Sequence, residues 1–140
     1  MYYTLCAEYK VWSAERNMNK YGNRKVVIDG IVFDSKREAT RYRGLSLLQR
    51  AGEISDLERQ VEFELIPHQY SVEERFSKSG KRLKDKHTLL ERKVCYVADF
   101  VYKDKKGNRI VEDTKGMRTK DYIIKRKLML YIHGIKIHEV

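Results

Sequence analysis

Two short apolar runs, Val26–Ile28 and Ile31–Phe33, flank Asp29-Gly30, and Asp-Gly between such runs predicts a β-hairpin. A helical period follows. Ser35 and Glu38 have the spacing of a capping box. Glu38, Tyr42 and Leu45 recur at i, i+4 and i+7 and so share one face, with Ala39 and Leu48 extending the apolar stripe and Gly52 placed to close the helix. Over 53–66 a turn gives way to alternation. Val61, Phe63 and Leu65 against Glu62 and Glu64 predict a half-buried strand with Gln60 at its start. Residues 68–93 show a turn signal at 77–81 and no apolar period around it; they read either as a long β-ribbon or as a loop. Two further strand-like runs, 97–102 and 109–114, surround a short polar loop. Thr119 then predicts the cap of a helix running to about His133, with Ile124, Leu128, Tyr131 and Ile132 as its buried stripe. Gly134 stops it, and 135–138 alternates as a last strand. Residues 1–19 are mixed: Tyr2, Tyr3, Leu5, Val11 and Trp12 fit a short packed helix or a dimer arm equally well. At 140 residues the chain is long enough for one domain, and the element order makes it a mixed α/β domain.

The hairpin of 97–114 is where register matters for chemistry. A three-residue loop of Lys105, Lys106 and Gly107, with Gly107 left-handed, pairs Asp104 with Asn108 and Tyr102 with Ile110. Asp99 then falls opposite Asp113. Opposed side chains sit roughly 5 Å apart at Cβ, and like charges there repel. Alternation puts Asp113 and Lys115 on one face and Glu112 on the other. A loop closed on Gly107-Asn108 would misalign the two aspartates. In the first register, the patch reads either as solvated charge in a lysine-rich hairpin or as acids bridged by a hard cation. Mg²⁺ takes one or two carboxylates together with waters and substrate phosphate. Glu38 has two readings as well: a cap for the Ser35 backbone N–H, or a third acid turned from the first helix toward Asp99 and Asp113.

Charge changes the picture of partners, not of fold. Thirty Lys and Arg against twenty Asp and Glu give a net charge of +10 and a pI near 9.6. That balance favours a polyanion, most directly nucleic acid, bound through phosphate contacts. Arg24 and Lys25 in the basic turn, Arg37 and Arg41 beside Glu38, Lys81 and Arg82 in 68–93, and Lys120 and Lys125 on the last helix are the candidate contacts. No apolar run is long enough to cross a membrane, and MYYTLCAEYK has no signal-peptide pattern, so no membrane partner is expected. Cys6 and Cys95 form no CxxC pair, and a reduced, cytoplasmic compartment is the simplest expectation. They lack zinc-ligand spacing with His68, His87, His133 or His138.

Asp99, thirteen intervening residues, and then Asp113-Thr114-Lys115 resemble the PD-(D/E)XK signature of Mg²⁺-dependent nucleases, with Ala98 in place of the proline. The chain also resembles small phage proteins of that superfamily over about 20–140, through KYGNRKVVIDGIVFDSKREATRY, ISDLERQVEFEL, YVADFVY, IVEDTKG and HGIKIHEV. The resemblance implies a restriction-endonuclease-like α-β-β-β-α-β core, a mixed central sheet flanked by helices. It implies a metal-dependent DNA endonuclease of phage recombination, replication or branched-DNA processing, akin to Holliday-junction resolvases, in the cytoplasm of a bacterial host. Glu38, Asp99, Asp113 and the Thr114 carbonyl would hold Mg²⁺ or Mn²⁺. Lys115 would position a water or stabilise charge on the phosphate, and Gln60 would orient a water or a phosphate. Duplex or branched DNA would be the partner, and a homodimer would cut two strands. A DNA-binding module or adaptor that keeps the fold without the activity is the rival expectation.

Overall fold

Asp29 and Gly30 close the first hairpin in a computed structural model that describes residues 24–140. Both lie at positive φ, 51° and 76°, the geometry that matches the twist of the strands it joins. These strands, β1 (Val26–Ile28) and β2 (Ile31–Phe33), pair antiparallel. Helix α1 (Lys36–Arg50) begins where the Ser35 hydroxyl accepts the Glu38 amide at 3.1 Å. It ends in a left-handed Gly52, with the Gly52 amide bonded to the Gln49 carbonyl and the Glu53 amide to that of Leu48. Those two bonds satisfy carbonyls the helix leaves open. Glu38, Ala39 and Leu45 are buried, whereas Leu48 is exposed and lies outside the stripe.

Strand β3 (Ile54–Ile66) starts earlier than its alternation indicates. Its first half carries left-handed Asp56 and Gln60, φ 54° and 51°, which hide a continuous strand behind an irregular pattern. Gln60 therefore stands inside the strand. Residues 68–93 form a ribbon: β4 (Gln69–Glu73) and β5 (Lys86–Glu91) pair antiparallel as a separate two-stranded sheet. The chain returns along β6 (Val94–Asp104), turns into β7 (Arg109–Asp113), crosses through α2 (Lys120–His133) and finishes in β8 (His138–Glu139). The central sheet has the order β3-β6-β7-β8, antiparallel except for the parallel pair β7–β8. Among the described residues the architecture is α/β with a mixed central sheet and two helices. Residues 1–19, expected as a short helix or an arm, lie outside the described residues.

Phe63, Leu65, Tyr96, Ala98, Val101 and Val111 pack with Tyr122 and Met129 of α2. On the other side, Phe33, Tyr42 and Phe100 stack in sequence, their centroids 5.2 and 6.4 Å apart. The expected stripe of α2 is not the buried one. Ile124 is 57% exposed and Tyr131 88%; of the four, Leu128 packs against the core. Tyr122 and Arg126 both reach Glu139, at 2.9 and 2.8 Å, and this polar anchor from the end of the chain sets the rotation of the helix.

The alternation of the sheet slips by one residue at its middle. Tyr96 and Ala98 face α2, but so does Val101. On β3, Val61 and Phe63 face α2, while Arg59 lies over the Phe33 ring at 4.2 Å. The left-handed Gln60 produces the slip, as an irregular residue in a strand does. Across from it lies Asp99, between the Val61–Ala98 and Arg59–Phe100 pairs.

Candidate functional site

Gly107, at φ 80°, closes a loop in which its amide meets the Asp104 carbonyl and the Asp104 amide meets that of Asn108, both at 3.0 Å. The Asp104 carboxylate accepts the Lys106 and Asn108 amides at 2.8 Å each, which holds its pKa below the ordinary value, the Asn108 bonds contributing most. Tyr102 pairs with Ile110 and Phe100 with Glu112, so the next positions, Asp99 and Asp113, fall opposite each other. The register expected from the left-handed glycine is the observed one.

The two aspartates are held from different directions. The Thr114 amide and hydroxyl donate to Asp99 Oδ2 at 2.8 and 2.7 Å. The Tyr96 hydroxyl donates to Asp113 Oδ2 at 2.7 Å. Asp113 Oδ1 is buried and receives no hydrogen bond among the described residues; Lys115 Nζ lies 3.1 Å away as an ion pair without hydrogen-bonding geometry. Burial pushes the Asp113 carboxyl up to about 6, against the pull of the Tyr96 hydroxyl, and the neighbouring Asp99 adds to the rise. Burial and the bond to Asp113 likewise drive the Tyr96 hydroxyl far above its ordinary pKa.

Glu38 joins this group through Gln60. Its Oε1 accepts the Gln60 amide at 3.1 Å, and the same Gln60 nitrogen reaches Asp99 Oδ1 at 3.5 Å. Its Oε2 accepts the Asp34 amide at 3.3 Å. Glu38 is therefore both cap and inward acid, although the cap bond goes to Asp34 and not to Ser35. Burial raises its pKa first and the Asp99 charge second. Arg59, 3.8 Å from Glu38 Oε1, offsets part of that.

Glu112 points the other way, as alternation requires. Arg41 grips it through Nη2 at 2.8 Å and through Nε, and the Tyr102 hydroxyl adds a bond at 2.9 Å. Arg41, expected to touch phosphate, thus has its charge matched inside the fold by an acid 71 positions away. Arg37 keeps an exposed guanidinium, although Nη1 donates to the Lys115 carbonyl at 2.9 Å. Both line an open cleft of about 550 Å³ with Lys36, Thr40, Gly44, Thr114 and Val140.

The fold thus gathers Glu38, Gln60, Asp99, Asp113, Thr114 and Lys115, with Arg37 at the rim. Arg24, Lys25, Lys81, Arg82, Lys120 and Lys125 form no ion pair with these carboxylates among the described residues. Lys25 lies 4.0 Å from Asp34, and Arg82 lies 3.5 Å from both Glu74 and Asp85. No sequence signal marks Tyr96 or Arg59. Strict alternation puts Tyr96 and Asp99 on opposite faces, and only the slip at Gln60 lets them serve one site.

Among the described residues no three His, Cys, Asp or Glu side chains converge as a ready metal cage. Thr114 occupies Asp99 Oδ2, and Gln60 stands between Glu38 and Asp99. The Asp99–Asp113 pair nevertheless fits a hard cation that keeps several waters and takes one or two carboxylates, because Asp113 Oδ1 is buried without a hydrogen bond beside a second acid. Among the described residues no helix is long and apolar enough to cross a membrane.

Residues 18–138 match the model of a family described as Protein of unknown function (DUF1064). No curated protein and no solved structure matches the chain.

Proposed function

The chain belongs to the DUF1064 family, and because that membership carries no activity with it, we propose one from the site: metal-dependent hydrolysis of phosphodiester bonds in DNA. The observation that carries this reading is Asp113, buried, fixed by Tyr96, flanked by Asp99 and Lys115, and left with one oxygen that has no hydrogen bond among the described residues. Two carboxylates and a lysine at this spacing are the PD-(D/E)XK chemistry that the sequence resembles. The order α1-β3-β6-β7-α2-β8, with the ribbon inserted between β3 and β6, supports a restriction-endonuclease-like core.

Asp99 and Asp113 would hold Mg²⁺ or Mn²⁺, which when bound polarises the scissile phosphate and lowers the pKa of a water. The rest falls to the chain. Thr114 fixes the Asp99 carboxylate and Tyr96 that of Asp113, so neither rotates when substrate arrives. Lys115 places a cation where negative charge develops on the phosphate. Gln60 ties Glu38 to Asp99 through its amide nitrogen and leaves its carbonyl oxygen to accept from a water. Arg37, exposed at the rim of the cleft, suits the adjoining phosphate. A homodimer would let two such sites cut both strands of a duplex or junction, in the cytoplasm of a bacterial host.

The second reading, a DNA-binding module without catalysis, draws on the lack of a three-acid cage among the described residues. Incubating labelled four-way junction, flap, duplex and single strand with Mg²⁺, Mn²⁺ or EDTA separates the two. Metal-dependent cutting that Asp113→Asn removes is the expected result. Binding without cutting in any metal would leave the module reading in possession.

A further inference from the structure

The ribbon of β4 and β5 has no role in the site, and it stands apart from the domain. Among the described residues it joins no other sheet, every residue of β5 is exposed, and even the paired Tyr70 and Leu89 are about half exposed. An isolated two-stranded hairpin is marginally stable in water. This one is reinforced at its far end: the Leu83 amide bonds to the Arg75 carbonyl, the Ser77 amide to that of Lys81, and the Ser77 hydroxyl accepts the Lys81 amide at 3.0 Å. The tip is thus an ordered turn.

Its charge is unevenly placed. Residues 75–84 contain five cations and no acid. Among the described residues, Arg82 alone of these forms an ion pair, with Glu74 and Asp85; Arg75, Lys78, Lys81 and Lys84 are exposed and form none. Lysines that merely protect a sheet edge lie along the strands. Here the strands carry Glu73 against Lys86, which pair at 3.6 Å, and the surplus sits on the turn. Phe76 and Leu83, 58% and 41% exposed, place apolar surface between the cations.

The geometry points to the ribbon as an arm that grips a nucleic-acid duplex away from the proposed site, through Arg75, Lys78, Lys81 and Lys84 on the phosphate backbone. A two-stranded ribbon fits the major groove, and exposed apolar side chains beside the cations suit contact with base edges. The ribbon continues the β3–β6 pair beyond a junction where the Lys93 amide bonds to His68 Nδ1 at 3.2 Å. At about 3.3 Å per residue, the start of β6 at Val94 is already roughly 16 Å from Asp99, and the ribbon lies beyond it. It therefore anchors DNA without taking part in the chemistry.

The inference rests on nucleic acid being the substrate of the proposed site, but its test needs no cleavage. Binding of a labelled duplex is followed by fluorescence anisotropy in EDTA over a salt series. Comparison is with a variant carrying Arg75→Ala, Lys78→Ala, Lys81→Ala and Lys84→Ala, and with a set that exchanges Arg and Lys at the same four positions. Each phosphate contact contributes about 0.9 to the slope of log affinity against log salt. The alanine variant should lose roughly 3 to 4 from that slope, and the exchanged set should keep it. An unchanged slope overturns the inference, as does a wild-type protein that binds no duplex. So does affinity lost only because the alanine variant turns from dimer to monomer, which light scattering reveals and which would make the ribbon a self-association arm. A protein that binds through the ribbon but never cuts sinks the hydrolase and leaves the arm; one that cuts while the alanine variant binds unchanged does the reverse.

Discussion

The two sides of the β6–β7 hairpin bury acids one residue apart and treat them oppositely. Toward α1, both oxygens of Glu112 are taken, by the two nitrogens of Arg41 and by the Tyr102 hydroxyl. Toward Asp99, Asp113 has one oxygen on Tyr96 and one with no hydrogen bond among the described residues, and its pKa is pushed up. Both side chains are almost wholly buried, on one strand. Burial therefore does not distinguish these two acids; hydrogen-bond satisfaction does. A buried polar atom without a partner costs stability, and a fold that satisfies position 112 so fully leaves position 113 costly where the proposed chemistry would gain from it.

The largest effect should come from Asp113→Asn. Cleavage should fall about 10³-fold or more, while the folded protein becomes more stable at neutral pH. The Asp113 carboxyl titrates near 6 in the fold against an ordinary 3.8. Between those values the folded state holds a proton that the unfolded chain has released, so Asp113 makes stability fall as pH rises from about 4 to about 6. The loss amounts to about 3 kcal/mol. Thermal melts in EDTA from pH 4 to pH 8 should show that fall in the wild type and lack it in Asp113→Asn. A variant that is inactive yet titrates like the wild type would break the comparison.

The opposite side should respond in the opposite currency. Arg41→Leu leaves Glu112 buried and unpaired, at a cost of about 3–5 kcal/mol, read from denaturant unfolding. The rate per folded molecule should change far less than for Asp113→Asn. Adding Glu112→Leu should return most of the stability, since replacing both partners of a buried pair by apolar groups is often neutral. If cleavage collapses with Arg41→Leu while stability holds, Arg41 is a site cation and the contrast fails.

Lys115→Ala sharpens the Asp113 side. It should lower kcat about 10²–10³-fold with less change in DNA affinity. It should also move the stability transition of Asp113 to higher pH, because Lys115 lowers that pKa. A loss of affinity at unchanged kcat would make Lys115 a phosphate anchor instead.

Local signals made much of this legible. Ser35, Gly52, Thr119 and Gly134 mark both helices, and a left-handed Gly107 offers the register that opposes Asp99 to Asp113 as one of two the loop allows. What stayed hidden depends on distant partners. Arg41 looks like one more surface cation until Glu112 arrives 71 positions later. The buried face of α2 depends on Glu139, beyond the helix. Tyr96 joins Asp113 only because side-chain alternation breaks where Gln60 faces Asp99, with the strand register unchanged, and nothing in a glutamine announces a left-handed backbone.

That slip supplies the smallest and finest test. Gln60 sits at φ 51°, where a side chain with a Cβ costs roughly 1–2 kcal/mol, and its amide is the link between Glu38 and Asp99. Gln60→Ala removes the link and keeps the strain; Gln60→Gly removes both. The two variants should lose cleavage alike, about 10–100-fold if the amide acts as an orienting partner of the acids. They should differ in stability by about 1 kcal/mol in favour of glycine, measured by denaturant unfolding. Equal stabilities would mean that the slip is imposed by the neighbouring pairs and not held against strain by Gln60. Unequal activities would mean that the backbone kink, and not the amide, positions Asp99 against Asp113.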